Sequence, residues 1–168
     1  MTGGTSLRFI DKIHPYTLIG PGIPASGSGG ALPWVGMANY NHLTYVLSGT
    51  NAGSGVTAVA VTFNQAQDFA GTGVTPFAPL QIWANLDLVT NLDNLTNYPV
   101  ISGTFTLTGT VSKNFQYIVE VDAQELISGY STLQIVLANA AAQTLTVEVY
   151  GIGARVGYSV THFPTFLS

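Results

Sequence analysis

Charged side chains are scarce in this sequence, and the scarcity is uneven along the chain. Asp, Glu, Lys and Arg make up 7% of the 168 residues, whereas typical soluble domains carry about 25%. None of the four occurs between Lys12 and Asp68. Because a surface with so few charges favours association, the composition predicts that much of the surface is covered by other copies of the chain or by another protein.

Basic residues and cysteine are also rare or missing. The four basic residues are scattered along a chain whose net charge is −4. Binding to nucleic acid needs a basic patch that neutralises phosphates, so we expect no nucleic-acid partner. Cysteine is absent, which excludes disulfides and thiol catalysis and leaves the redox compartment open.

Long apolar runs are the third absence. No run approaches the ~20 residues that a membrane-spanning helix needs, and the first residues lack the basic start and apolar stretch of a signal peptide. We therefore expect a soluble chain made in the cytoplasm, with no membrane partner. The apolar residues alternate instead with Thr, Ser, Gln and Asn, a pattern typical of strands with a neutral outer face.

Period-two alternation and β-branched residues predict six strands, at residues 42–48, 56–65, 104–108, 115–121, 133–137 and 145–149. Residues 80–84 form a further apolar segment. Short strands separated by turn-rich segments indicate an all-β fold, a single antiparallel β-sandwich, rather than βαβ units. The Gly- and Asn-rich residues 49–55 predict a hairpin between the first two strands. Residues 68–76 and the Asn- and Asp-rich residues 85–97 are predicted to be loops. The last two strands are predicted to pair with each other. A helical turn is expected at residues 123–127, with Asp122 as its N-cap and its end near Gly129.

The two ends of the chain differ from the middle. Residues 1–33 are predicted to form an extended arm or linker, because Gly and Pro are frequent between residues 18 and 33. Residues 34–158 form the predicted sandwich domain. Residues 159–168 are aromatic and apolar, although tails are normally polar unless something holds them. This tail is predicted to dock on its own sandwich or on a neighbouring subunit, and the predicted partner interface comprises Trp34, Tyr40, Phe163, Phe166 and Leu167.

Motifs that carry chemistry are hard to find. The sequence has no nucleophile elbow, Walker loop, zincin motif or paired-cysteine metal site. Asp87 and Asp93 lie among asparagines, which suits a calcium loop or, more simply, a solvated turn. Glu120 and Asp122 share one face of a strand, as a glycosidase pair would, but two such carboxylates are more often solubilising charges. We expect no catalytic residue, metal or cofactor.

The aromatic residues allow two interpretations. They could form a carbohydrate-binding platform on a neutral sandwich, or they could pack in the core and at interfaces, where aromatic side chains contribute much of the area. Packing is the commoner use. The residues concerned are Trp34, Tyr40, Trp83, Tyr98, Tyr130 and Tyr158.

Several segments, in their order along the chain, carry a resemblance to a known group of proteins. After the Gly/Pro-rich arm come residues 37–47 (MANYNHLTYVL), 60–68 (AVTFNQAQD), 117–126 (YIVEVDAQEL), 133–137 (LQIVL) and 150–155 (YGIGAR). Over residues 34–158 the chain resembles small structural proteins of tailed bacteriophages, of the kind described as decoration, cement or auxiliary head proteins.

The resemblance implies a virion component with a β-sandwich or jelly-roll-like domain that attaches to the capsid in many copies, often as trimers. It brings no catalytic residues and no cofactor. The implied partners are the major capsid protein or other virion proteins, together with copies of the chain. The arm and the aromatic tail depart from the group's pattern and equally suit a tail or head–tail connector protein. A carbohydrate- or receptor-binding module is the alternative function.

Overall fold

A computed structural model of the chain describes residues 13–22, 30–38, 40–55, 57–79, 81–98, 103–138 and 145–155. Within these ranges the chain forms twelve strands and one 3₁₀ helix, Ala123–Glu125. The strands are β1 Ile13–Gly22, β2 Gly30–Ala31, β3 Val35–Gly36, β4 Tyr40–Asn51, β5 Thr57–Ala66, β6 Thr75–Phe77, β7 Gln81–Asn85, β8 Thr96–Asn97, β9 Thr104–Gly109, β10 Asn114–Asp122, β11 Thr132–Ala138 and β12 Leu145–Arg155. Among these residues no helix is long and apolar enough to cross a membrane.

The strands form two antiparallel sheets. Sheet A has the order β1-β12-β4-β10-β7-β8, and sheet B has the order β2-β11-β5-β6, with β3 also on β11 and β9 also on β5. The inner faces of both sheets contribute to one hydrophobic core. The predicted all-β sandwich is confirmed, whereas its jelly-roll character stays a prediction.

The alternation of residue types determines which face of each strand is buried. In β10, Phe115, Tyr117, Val119 and Val121 are buried, and the residues between them are partly exposed. Removing one large apolar side chain from water stabilises the fold by about 1.5–3 kcal/mol. All six predicted strands are present, and their predicted apolar faces point into the core. The apolar segment 80–84 largely coincides with β7.

The strand pairings differ from the two that were predicted. Strand β4 lies in sheet A and β5 in sheet B, so the predicted hairpin is wrong and the chain passes from one sheet to the other after Asn51. The predicted pair at 133–137 and 145–149 is also wrong, because β11 pairs with β5 while β12 pairs with β4 and β1. Both sheets present the same apolar period to one core, so alternation alone does not distinguish their strands.

The Gly/Pro-rich segment is not simply an arm. Residues 13–22 form β1, which pairs with β12 at the edge of sheet A, and residues 30–31 pair with β11. Proline and glycine are tolerated in edge strands because one side of such a strand makes no ladder bonds. The remaining arm residues, 1–12 and 23–29, and the predicted tail, 159–168, lie outside the described residues.

The predicted helical turn is shorter than expected. It is the 3₁₀ helix Ala123–Glu125, and Asp122 precedes it without a capping bond from its side chain. The Asp122 carboxylate instead bonds the His42 ring at 2.7 Å. Gly129, at the predicted end, has a positive φ of 88°, which favours glycine.

The antiparallel arrangement defines two ends of the sandwich. At the first end, β5 and β10 finish while β4 and β11 begin. At the opposite end, β4 and β7 finish while β10 and β12 begin. Residues 67–74 join β5 to β6 at the first end, and residues 86–95 join β7 to β8 at the opposite end.

Candidate interaction surfaces

The loop of residues 67–74 is organised around the carboxylate of Asp68. One carboxylate oxygen accepts hydrogen bonds from the backbone N–H groups of Ala70, at 2.9 Å, and Thr72, at 3.0 Å. The other accepts a bond from the Thr72 hydroxyl at 2.7 Å. The bonds from Thr72 hold the pKa of Asp68 below its usual value, because they favour the charged form.

A second loop, residues 126–131, is bonded to the first. The Ser131 hydroxyl donates to the Gln67 carbonyl at 2.7 Å, and the Tyr130 hydroxyl donates to the Gly73 carbonyl at 2.9 Å. The Thr132 hydroxyl lies 3.0 Å from the Asp68 carbonyl. The two loops therefore form one hydrogen-bonded unit at the first end of the sandwich.

Large apolar side chains are exposed on this unit. Phe69 is 53% exposed, and Val74 and Ile127 are exposed to a similar degree. The Trp34 ring lies close to Val74, since a Cβ added at Gly71 would be 3.3 Å from Trp34 Cζ2 and 3.4 Å from Val74 Cγ2. We call Trp34, Phe69, Val74 and Ile127 the Phe69 surface. Apolar groups exposed together on an ordered loop are typical of contact sites.

The opposite end carries a comparable group, which we call the Leu92 surface. It consists of Val89, Leu92 and Leu95 in the loop of residues 86–95, and Leu92 is 73% exposed. The side-chain amide of buried Asn85 holds the loop by donating to the Asn91 carbonyl at 2.5 Å. The same side chain accepts a bond from the Asp87 backbone N–H at 2.9 Å.

Asp87 completes the support of the Leu92 surface. Its carboxylate accepts bonds from the Thr90 hydroxyl, at 2.5 Å, and from Lys113 Nζ, at 2.8 Å. The bond from Lys113 is the main reason that the pKa of Asp87 falls to about 2. Both of these bonds go to Oδ2, while Oδ1 accepts bonds from the backbone N–H groups of Val89 and Thr90. Both oxygens of the carboxylate that had suggested a calcium loop are therefore engaged. Within the described ranges, no group of three or more His, Cys, Asp or Glu side chains is placed to hold a metal ion.

The carboxylates of Glu120 and Asp122 meet one histidine on the outer face of sheet A. Nδ1 of His42 lies 2.7 Å from Asp122 Oδ1, and Nε2 lies 3.9 Å from Glu120 Oε1. Nearby Glu125 is partly buried, and burial raises the pKa of its carboxyl group. The pair that had suggested a glycosidase dyad is therefore joined through His42, on a side of the sheet where all three side chains are partly exposed.

The predicted interface residues have different positions. Trp34 belongs to the Phe69 surface, but Tyr40 is only 3% exposed, and its ring packs on Gly153, where an added Cβ would collide with it. Tyr40 therefore offers almost no area to a partner. Phe163, Phe166 and Leu167 lie outside the described residues.

Sequence reasoning missed the most exposed apolar residues. The available signal was an isolated apolar residue inside a segment already predicted to be a loop, as Phe69 and Val74 are within 68–76 and Leu92 is within 85–97. Such residues have no strand face to be buried on.

Trp83 is the aromatic residue best placed for a sugar platform. It lies on the outer face of sheet A, where it pairs with Ile118 on one side and Asn97 on the other. Ile118 pairs in turn with Val46, and Val46 pairs with Tyr150. The outer face thus carries a row of partly exposed apolar and aromatic side chains across four strands.

Tyr98 is placed differently, because it packs edge-on against Phe105 and Tyr117.

Comparison with known proteins gives few matches. No family model matches the chain, and no curated protein matches it. The crystal structure of SPBc2 prophage-derived protein YomS is similar, with a TM-score of 0.46 and 15% sequence identity, over 84% of this chain and 91% of that one. At this identity and TM-score the likeness is a distant one.

Proposed function

We propose that this chain is a non-enzymatic structural protein of a tailed-phage particle that binds the capsid surface and neighbouring copies of itself. The observation that carries the proposal is the pair of apolar surfaces at opposite ends of the sandwich, each on a loop held by its own hydrogen bonds. A domain with a contact site at each end is suited to joining two other subunits. The scarcity of charge and the resemblance over residues 34–158 agree with this role.

Apolar burial alone makes the free energy of such a contact favourable, without ion pairs. Burial of apolar area contributes about 25 cal/mol per Å², and specific interfaces bury about 1,200–2,000 Å² in total. Loops that are already ordered lose little conformational entropy on binding. Many copies on one particle add avidity to each individual contact.

The test is binding of full-length variants to capsids that lack the protein. Val74→Ser and Leu92→Ser each remove one exposed apolar side chain from the Phe69 surface and the Leu92 surface. Gln124→Ser, at another exposed position of the first end, is the control. We expect cosedimentation with capsids to fall for at least one of the two variants and to be unchanged for the control. Binding by both variants at the level of the unmodified protein would contradict the proposal.

Self-association is tested separately, by light scattering of the purified protein. We propose a homo-oligomer, with the trimer as the expected state. A mass that stays at 17.6 kDa at every concentration, in a protein that also ignores capsids, would contradict both parts of the proposal.

A carbohydrate-binding module is the second candidate, and the position of Trp83 favours it. The indole lies on an outer sheet face with Asn97 opposite it and Gln81 two residues along the same strand. Aromatic faces flanked by amide groups suit sugar rings. A glycan-array signal that disappears in Trp83→Ala, but not in Trp34→Ala, would support this function over the first.

A further inference from the structure

The two sheets differ in the charge that their outer faces carry. The six described strands of sheet B contain no Asp, Glu, Lys or Arg. The outer face of sheet A, by contrast, carries the carboxylates of Glu120, Asp122 and Glu148. Because protein surfaces commonly carry about 25–35% charged residues, a whole sheet face without a charge needs an explanation.

The outer face of sheet B is built mostly from short, uncharged side chains. In one row across the sheet, Val136 of β11 lies beside Thr62 of β5, and Thr62 lies beside Thr104 of β9. The Thr62 and Thr104 hydroxyls bond each other at 3.3 Å. The other side chains that this face exposes fully or partly are those of Ala31, Ala58, Ala60, Asn64, Pro76, Thr106, Thr108 and Gln134. A second surface can therefore approach the sheet closely.

The face is large enough for a stable contact. Sheet B is four strands wide, and at about 4.8 Å between strands this gives a width of about 19 Å. Strand β5 has ten residues, which at about 3.3 Å per residue gives a length of about 33 Å. Each of two partners can therefore bury about 600 Å², and the total of about 1,200 Å² reaches the range of specific interfaces.

Charge determines which partner suits this face. A partner with charged side chains would bury them against groups that cannot pair with them, which costs free energy. The chain itself has a net charge of −4, and two copies that met through sheet A would bring carboxylates together. Two sheet B faces meet without either cost, and cores of interfaces are typically poor in charged residues. A neighbouring copy of the chain therefore presents the matching surface.

We propose that the outer face of sheet B packs against the same face of a neighbouring copy of this chain. The inference rests on the self-association proposed above and names the surface that carries it. It uses neither the Phe69 surface nor the Leu92 surface, which stay available at the two ends for the capsid. Such faces can meet across a two-fold axis or around a three-fold axis, so the contact agrees with the expected trimer.

A single charge introduced on the face tests the contact. Ala60 is exposed on β5, an inner strand of sheet B, so Ala60→Lys leaves the core untouched. This variant should raise the concentration needed for half-association about 10-fold or more, because association brings like charges together. Thr106→Lys, beside Ala60 on β9, is a second variant with the same expected result.

The matched control is Gln81→Lys, at an exposed position of β7 on the outer face of sheet A. It adds the same charge outside the proposed contact and should associate like the unmodified chain. Analytical ultracentrifugation measures association over a range of concentrations. Near-UV circular dichroism of each variant establishes that the sandwich is folded, so that dissociation is read from folded protein.

A mixture of opposite charges tests that both copies use the same face. Ala60→Glu should dissociate as Ala60→Lys does, whereas an equal mixture of the two should recover association, because opposite charges then meet. A mixture that stays dissociated would mean that the face contacts a different surface of its neighbour, which contradicts the inference.

The unmodified chain separates this inference from the proposed function. If its mass stays at 17.6 kDa at every concentration, the proposed self-association fails and the inference fails with it. If the unmodified chain associates and both Ala60→Lys and Thr106→Lys associate equally well, self-association stands and the inference alone is overturned. All of these measurements use purified protein without capsids, so the outcome of particle binding does not affect them.

Discussion

At the scale of single residues, two tyrosine hydroxyls complete the hydrogen bonding of strand β9. Buried Tyr117 accepts a bond from the Thr108 N–H at 3.0 Å, and Tyr98 donates to the Thr106 carbonyl at 2.9 Å. Among the described strands, β9 pairs with β5 alone. The two hydroxyls therefore bond backbone groups of β9 that would otherwise face a second neighbouring strand. Burial raises the pKa of Tyr117, which keeps its hydroxyl neutral at all ordinary pH values.

Tyr117→Phe should lower the free energy of unfolding by about 1–3 kcal/mol, because the Thr108 N–H loses its partner in a part-buried place. Urea denaturation measures the change. Tyr98→Phe is the comparison, and it should cost less because its bond to Thr106 is exposed and water can replace it. Equal stability of Tyr117→Phe and the unmodified chain would show that the hydroxyl bond is not needed.

Asp87 gives the fold a defined sensitivity to acid. Its pKa is lowered from 3.8 to about 2, chiefly by Lys113, so the folded state holds its proton less tightly than the unfolded state does. The resulting stabilisation is present above pH 3.8 and is lost as the pH falls toward 2.

Asp87→Asn should therefore reduce the fall in unfolding free energy between pH 3.8 and about 2. Lys113→Met should reduce it as well, because it removes the largest cause of the lowered pKa. Urea unfolding at several pH values measures both changes. A pH profile unchanged by either substitution would contradict this assignment.

At the scale of elements, strands β12 and β4 depend on a close approach of backbone and ring. The ring of Tyr40 occupies the space where a side chain at Gly153 would begin. Gly153→Ala should therefore cost about 1–3 kcal/mol by overpacking, which thermal unfolding measures. Gly30→Ala is the control, because no atom lies within 4 Å of an added Cβ there. Similar melting temperatures for the two variants would contradict the packing described here.

The Asp68 side chain makes hydrogen bonds within the loop of residues 67–74, in addition to the bonds from the neighbouring loop. Asp68→Ala removes three hydrogen bonds, to Ala70 and Thr72. We expect faster amide hydrogen exchange at these two residues and no change in the core strands, because opening of a loop is local. Asp93→Ala, in the loop at the opposite end, serves as the control. Unchanged exchange at Thr72 would mean that the loop is held by other contacts.

At the scale of the whole molecule, the low charge determines how association responds to salt. Screening weakens interactions between exposed charges and leaves apolar burial largely intact. Binding to capsids through the Phe69 surface or the Leu92 surface should therefore change little between low and high ionic strength. A steep loss of cosedimentation with added salt would indicate that charged groups carry the contact instead.

The sequence was sufficient to predict several strands of this protein and the face on which each is buried. Alternation in β4, β5 and β10 defined both the strands and their buried faces, because the period of a strand is a property of consecutive residues. The same reasoning predicted loops at residues 68–76 and 85–97, but it did not identify Phe69 or Leu92 as exposed. An apolar residue in a loop is buried or exposed according to what lies beside it, which is decided by distant parts of the chain.

The sequence by itself determined that the chain is all-β, poor in charged residues, and aromatic and apolar over residues 159–168. Only the tertiary structure decided that β4 and β5 lie in different sheets, that residues 13–22 form an edge strand of sheet A, and that Tyr40 is buried. It also decided that the two exposed apolar loops lie at opposite ends. The physical reason is that strand period specifies a face, whereas neighbours depend on packing between segments far apart in sequence.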